Sequence, residues 1–157
     1  MRKIVRLCAW LALFAATAGG ALAKDPARDI LGVRPGMSAD EARRRLDKAG
    51  KRQTAERMKH EVWEVRDPRI AHVGVRFDAQ TRVVRWVTAI ARADARRRLR
   101  YADVGDTGRV TDHKTDGTNH TYIWKVPARR GRPGYVVEAL GNDPVFLTSY
   151  RILRTFE

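Results

Sequence analysis

Few residues in this chain could do chemistry on a substrate. Asp106-Thr107-Gly108 has the form of the aspartic-protease triplet. That chemistry needs two carboxylates sharing one proton, because like charges at close range cannot both ionise. The triplet occurs once, between polar flanks, and reads as part of a turn. Asp112, His113, Asp116 and His120 are potential metal ligands, since neutral imidazole and carboxylate oxygen both bind zinc. Their spacing fits no finger, metzincin or calcium-loop pattern, and Asp116-Gly117 is equally a plain turn. Ser38 and Ser149 are the only serines and Cys8 the only cysteine. No G-x-S-x-G, P-loop or dinucleotide fingerprint occurs. The expectation is a protein that is not an enzyme and holds no cofactor.

Recognition is the other use of such residues. The basic triplets Arg43, Arg44, Arg45 and Arg96, Arg97, Arg98 fall on the outer faces of two expected helices and are the candidate polyanion site. Arg85, Tyr122, Tyr150 and Arg151 are candidates for protein recognition if one sheet face is uncovered, because Tyr and Arg are enriched at binding hot spots. Trp63, Trp86 and Trp124 lie in apolar strands and are expected in the core.

The elements that must position these residues start with Ile30–Lys51. Arg34-Pro35-Gly36 makes a turn, since proline presets φ and glycine accepts φ > 0. Ser38 and Glu41 form a capping box, with Met37 and Ala42 as a hydrophobic staple. Asp40 and Glu41 suit the helix start, Lys48 its end, and Gly50 is read as a left-handed stop. Ala39, Ala42, Leu46 and Ala49 make a thin apolar stripe, so the helix should lie on something larger. Residues 51–59 read as a loop or second short helix. His60–Arg66, Ile70–Phe77 and Arg82–Ala91 then read as a three-strand meander, the last apolar on both faces and expected to be the best covered.

The pattern then recurs. Asp94-Ala95-Arg96-Arg97-Arg98-Leu99 nearly repeats Glu41-Ala42-Arg43-Arg44-Arg45-Leu46, and Ala95, Leu99 and Ala102 give a helical stripe ending near Gly105. Ile123-Trp124-Lys125-Val126 echoes Val62-Trp63-Glu64-Val65, with an insertion in 103–120. A glycine-rich link, Arg129–Gly134, leads to strands at Tyr135–Leu140 and Val145–Leu153. The expected fold is α+β and two-layer: two helix-plus-antiparallel-meander repeats, about 30–91 and 92–157, with the helices on one side of the sheet.

Residues 1–23 read as a cleaved signal peptide. Arg2, Lys3 and Arg6 precede an apolar run from Leu7 to Ala18, with Ala21-Leu22-Ala23 as the cleavage site. The run is shorter than the roughly 20 residues that span a bilayer, and Cys8 lies too early for lipidation, so no membrane anchor is expected. Taking 23 residues from 157 leaves 134, enough for one modest domain. Losing those three cations lowers the net charge from +14 to +11. Thiol chemistry is excluded in that mature chain. Export to the periplasm or medium argues against nucleic acid and leaves lipopolysaccharide, acidic lipid or an acidic protein as anionic partners. Arginine greatly outnumbers lysine, and scattered charge first of all keeps a protein soluble.

Gly32-Val33-Arg34-Pro35-Gly36-Met37-Ser38, followed by Glu41-Ala42 and a meander, resembles the opening of the small SmpA/OmlA (BamE) envelope-assembly lipoproteins. The tandem arrangement is similar to the β-lactamase inhibitor protein fold. The resemblance implies a non-catalytic module of the cell envelope that binds another protein, as an assembly accessory or inhibitor. This chain departs from the lipoproteins in having no lipidation cysteine after the signal, and in having a second half.

Overall fold

Ser38 opens the first helix as its sequence requires. In the computed structural model, which describes residues 24–53 and 60–155, its hydroxyl accepts from the Glu41 amide at 3.3 Å and α1 runs Ala39–Ala49. Proline and glycine make the preceding turn, with Gly36 at φ 84° and the Met37 amide bonded to the Arg34 carbonyl at 3.2 Å. Ala39, Ala42 and Leu46 are buried beneath the helix, and Met37 joins the same core. Gly50 is not a left-handed stop. Its φ of −168° is ordinary extended backbone, and what glycine provides is room: a Cβ there would stand 2.0 Å from the Glu64 carbonyl oxygen.

The chain then builds one eight-stranded antiparallel sheet. Its strands are β1 Gly50–Gln53, β2 Glu61–Val65, β3 Ile70–Phe77, β4 Val84–Ala91, β5 Asp112–Asp116, β6 Asn119–Val126, β7 Tyr135–Gly141 and β8 Ser149–Arg154. The order across the sheet is β1-β2-β3-β4-β8-β7-β6-β5. Two meanders thus meet where β4 pairs with β8, Val87 standing opposite Ile152 and Ala89 opposite Tyr150.

The expected pair of helix-plus-meander repeats does not form. Among the described residues the sheet dominates and α1 is the one helix of any length. Residues 94–99 are not helical, and the only later α-helix among the described residues, α2, is the single turn Tyr101–Val104. The backbone there has another use: Leu99 accepts from the Leu147 amide at 3.1 Å, and Arg100 bridges to Phe146. Pairing of that kind needs extended conformation. Asp94 stands where an N-cap would be, but no helix follows it, and of the stripe Ala95, Leu99 and Ala102 only Leu99 is buried.

Both helical segments lie on one face of the sheet, together with residues 24–37. This covered face carries Trp63, Val73, Val75, Val87, Ala89, Ile152, Val137, Ala139 and Trp124, all buried. Each buried indole is tied to the layer above. Trp63 Nε1 donates to Asp47 at 2.7 Å, and Trp124 Nε1 to the Asp106 carbonyl at 2.9 Å. Gly105 sits against that second indole, where a Cβ would lie 2.8 Å from Trp124 Cε2. Gly105→Ala should therefore overpack the site and cost about 1–3 kcal/mol. Urea unfolding of the variant measures this, and a midpoint equal to that of the parent would refute it.

The expected signal peptide lies outside the described residues, as does most of the segment read as a loop or second helix. Among the described residues no helix is long and apolar enough to cross a membrane.

Candidate functional site

The first arginine triplet is held in the fold. Arg43 forks onto Glu61, with Nη2 at 2.5 Å and Nε at 3.1 Å, and its guanidinium lies 5.0 Å from the Phe77 ring. The hydrogen bonds that Arg43 donates to Glu61 raise its pKa above the ordinary value, against the opposing cost of burial. Glu61 also accepts from Arg52 at 2.5 Å, and Arg45 pairs with Glu41 at 2.7 Å. These contacts fasten α1 to β1 and β2. Arg44 is exposed. The second triplet lies in a non-helical segment, where Arg96 and Arg97 are exposed and Arg98 stacks 4.3 Å from the Phe146 ring centre. The two triplets are therefore not paired outer faces of two helices.

The recognition candidates separate by strand parity. Tyr150 is buried on the covered face, opposite Ala89 and Ala139. Tyr122 lies on that face too, half-buried, its ring 4.3 Å from that of Tyr101. Arg151 projects to the other face and pairs with Glu138 at 2.5 Å. Arg85 sits at a bulge, passed over between the pairs Arg76–Trp86 and Phe77–Val84. The four do not form one surface.

The metal candidates are divided as well. Alternation along β5 puts Asp112 and Asp116 on one side and His113 on the other, where it stacks with Tyr122 at 4.1 Å and with His120 at 5.8 Å. Asp112 pairs with Lys114 at 3.5 Å. Among the described residues no three His, Cys, Asp or Glu side chains come together as a metal site. Asp106 of the protease-like triplet caps the short 3-10 turn Thr107–Arg109 by accepting from the Gly108 amide at 2.9 Å.

Two surfaces that sequence reasoning did not assemble emerge instead. The first is the sheet face opposite both helices. The register lines up Arg76, Trp86, Leu153, Val136 and Lys125 across five strands. A neighbouring row runs Lys51, Glu64, His72, Ile90, Ser149, Leu140, Thr121 and Lys114. Ile90 is 43% and Leu140 39% exposed, while Trp86, Val136, Leu153 and Ile123 are half-buried. So β4, expected to be the best covered strand, buries Val87 and Ala89 on one side and presents Trp86 and Ile90 on the other. His60 packs 5.4 Å from the Trp86 ring, above Gly74.

The second surface is a two-lobed cleft between residues 24–38 and the hairpin that follows β6. One lobe, about 300 Å³, is lined by Lys24, Arg28, Arg109, Lys125, Arg129 and Arg132 with Trp124, Pro26 and Pro127. The other, about 720 Å³, is lined by Arg28, Arg34, Arg132 and Arg154 with Pro35, Gly36 and Ser38. Arg28, Arg132, Pro133 and Tyr135 belong to both. Across the two lobes eight cationic side chains face two carboxylates, Asp25 and Glu41. The only local signal was the run Arg129–Gly134, RRGRPG, which reads as a link; its partners lie about a hundred residues away in sequence.

No family model, curated protein or solved structure matches this chain.

Proposed function

We propose that the protein is an exported, non-enzymatic binding module of the cell envelope, an assembly accessory or an inhibitor, that docks an acidic protein on the open face of its sheet. The observation that carries the reading is an eight-stranded sheet with both helices on one side. The opposite side holds Trp86, Ile90, Leu140, Leu153, Val136 and Ile123 at least partly in water. These apolar side chains flank a central polar row in which Arg151 pairs with Glu138, and exposed apolar side chains interspersed with polar groups are what binding surfaces offer. Its rim carries Lys51, Arg76, Lys114 and Lys125 beside Glu64, Asp112 and Asp116, and the mature chain read from the sequence is at +11; that net charge steers an acidic partner toward the protein. The likeness of the Gly32–Ala42 turn and helix to the SmpA/OmlA opening supports the envelope setting.

The double variant Ile90→Asp, Leu140→Asp places charge at the two most exposed apolar residues of the face without touching the covered core. A pull-down from envelope extract should retain an acidic protein at low salt, less at high salt, and at least about tenfold less with the variant. An unchanged circular dichroism spectrum and melting temperature would show the variant folded. Equal capture by both proteins, or no capture at either salt, would sink the proposal.

A further inference from the structure

We infer that the cleft beside the post-β6 hairpin binds a bisphosphorylated ligand, with one phosphate in each lobe. The site shares Lys125 with the rim of the open sheet face but lies apart from that face's apolar side chains, and it takes a small anion rather than a protein.

Positive charge outnumbers negative along the cleft. Asp25 is already paired with Arg28 at 3.1 Å and Glu41 with Arg45 at 2.7 Å. Arg34, Arg129 and Arg132 make no ion pair among the described residues. Cationic side chains crowded along one cleft repel one another, weakly at these exposed positions because water and salt screen them. A multiply charged anion removes that repulsion. Phosphate suits it best, because the guanidinium fork meets two phosphate oxygens at once and each phosphate brings up to two charges.

The shape specifies two groups rather than one. Arg129 and Arg109 belong to the smaller lobe and Arg34 to the larger, while Arg28 and Arg132 stand at the junction. The wall at that junction is Tyr135 and Pro133, a flat apolar surface of the kind on which a sugar or ring joining two phosphates can lie.

The frame is built beforehand. Arg129 and Arg132 exchange backbone hydrogen bonds at 3.0 and 2.7 Å, with Gly131 at φ 75° closing the turn. Tyr135 donates to the Pro26 carbonyl at 3.4 Å, tying the hairpin to the N-terminal segment. A cleft already ordered pays less to bind.

Titration calorimetry with fructose 1,6-bisphosphate, against fructose 6-phosphate, tests the soluble source. Sedimentation with phosphatidylcholine vesicles containing diphosphoryl lipid A, against monophosphoryl lipid A, tests a lipid headgroup. The bisphosphate should bind at least about tenfold tighter than the monophosphate in one arm or the other. The arm that responds identifies the source. Arg34→Ala with Arg132→Ala, both at exposed positions, should weaken binding by more than tenfold. Arg44→Ala with Arg97→Ala removes the same charge elsewhere and should bind as the parent does. Equal losses in the two double variants would reduce the effect to net charge and overturn the proposal, as would no preference for the bisphosphate in either arm. The Ile90→Asp, Leu140→Asp protein should keep its bisphosphate binding, so this site and the open face fail separately.

Discussion

Trp63→Ala is expected to destabilise the protein by about 3–5 kcal/mol, the usual range for deleting a large buried aromatic. The indole is 0% exposed and stands on β2 opposite Val73, in the same core as Ala42 and Leu46 of α1. It also holds the helix in position, because Nε1 donates to Asp47 at 2.7 Å while the Arg52 guanidinium lies 5.4 Å from the ring. Truncation therefore removes apolar contact, leaves a cavity, and releases the one long helix from its sheet. Trp63→Phe separates the contributions. It keeps most of the ring volume and loses the hydrogen bond, and Asp47 is exposed enough to turn to water, so its cost should be at most about half as large. Denaturant unfolding of both variants provides the measurement. A loss below about 1 kcal/mol for Trp63→Ala would mean that α1 is held by something other than this contact.

What could be read in the sequence is what local physics decides. The Pro-Gly turn, the Ser38 cap and the end of α1 at Ala49 depend on residues within a few positions of one another. The six strands that carry alternating apolar residues, β2, β3, β4, β6, β7 and β8, were visible for the same reason. β1 and β5 were not. Their sequences, GKRQ and DHKTD, have no apolar face, and they become strands only because β2 and β6 offer a ladder to pair with. As the two edges of the sheet they are short and charged, which discourages further pairing. The repeated arginine motif misled because Asp94 and the triplet look like a capped helix start, while the backbone at Leu99 and Arg100 pairs with residues 146 and 147 instead.

The candidate surfaces were less legible because they depend on register and on distant segments. Tyr150 shares strand parity with Ile152, and Tyr122 with Trp124. Once β8 and β6 are aligned, those tyrosines face the core and Arg151 and Leu153 face outward. Each strand alone leaves open which parity is covered. On β4 both are apolar, so only the placement of α1 and of residues 24–37 decides that Val87 goes in and Trp86 stays out. Beyond the arginine-rich link after β6 the cleft has no sequence signature, since Arg34 and Arg132 come to line one space only after the whole sheet is assembled.

High pH should unfold the protein through two buried phenols. The Tyr150 hydroxyl is pushed up to about 12, first by burial and then by the nearby Asp29 carboxylate. Tyr101 is also pushed up to about 12, by burial first and then by Tyr122 and Asp143. Both rings are almost out of solvent, at 8% and 1% exposure. An unfolded tyrosine ionises near pH 10. Below that pH the phenol is protonated in both states and stability does not depend on it. Between about pH 10 and 12 the unfolded chain releases a proton that the folded chain keeps, so stability falls as pH rises. A gap of two pH units corresponds to about 2–3 kcal/mol for each group at the top of the window. The expected curve is therefore flat from pH 7 to 9 and steep above 10. Tyr150→Phe removes one of the two ionisations while keeping the ring in the core, and should make the alkaline arm shallower. Chemical unfolding at fixed pH values between 8 and 12 gives both curves. If the variant follows the parent throughout that window, burial of Tyr150 is not what limits the protein in alkali.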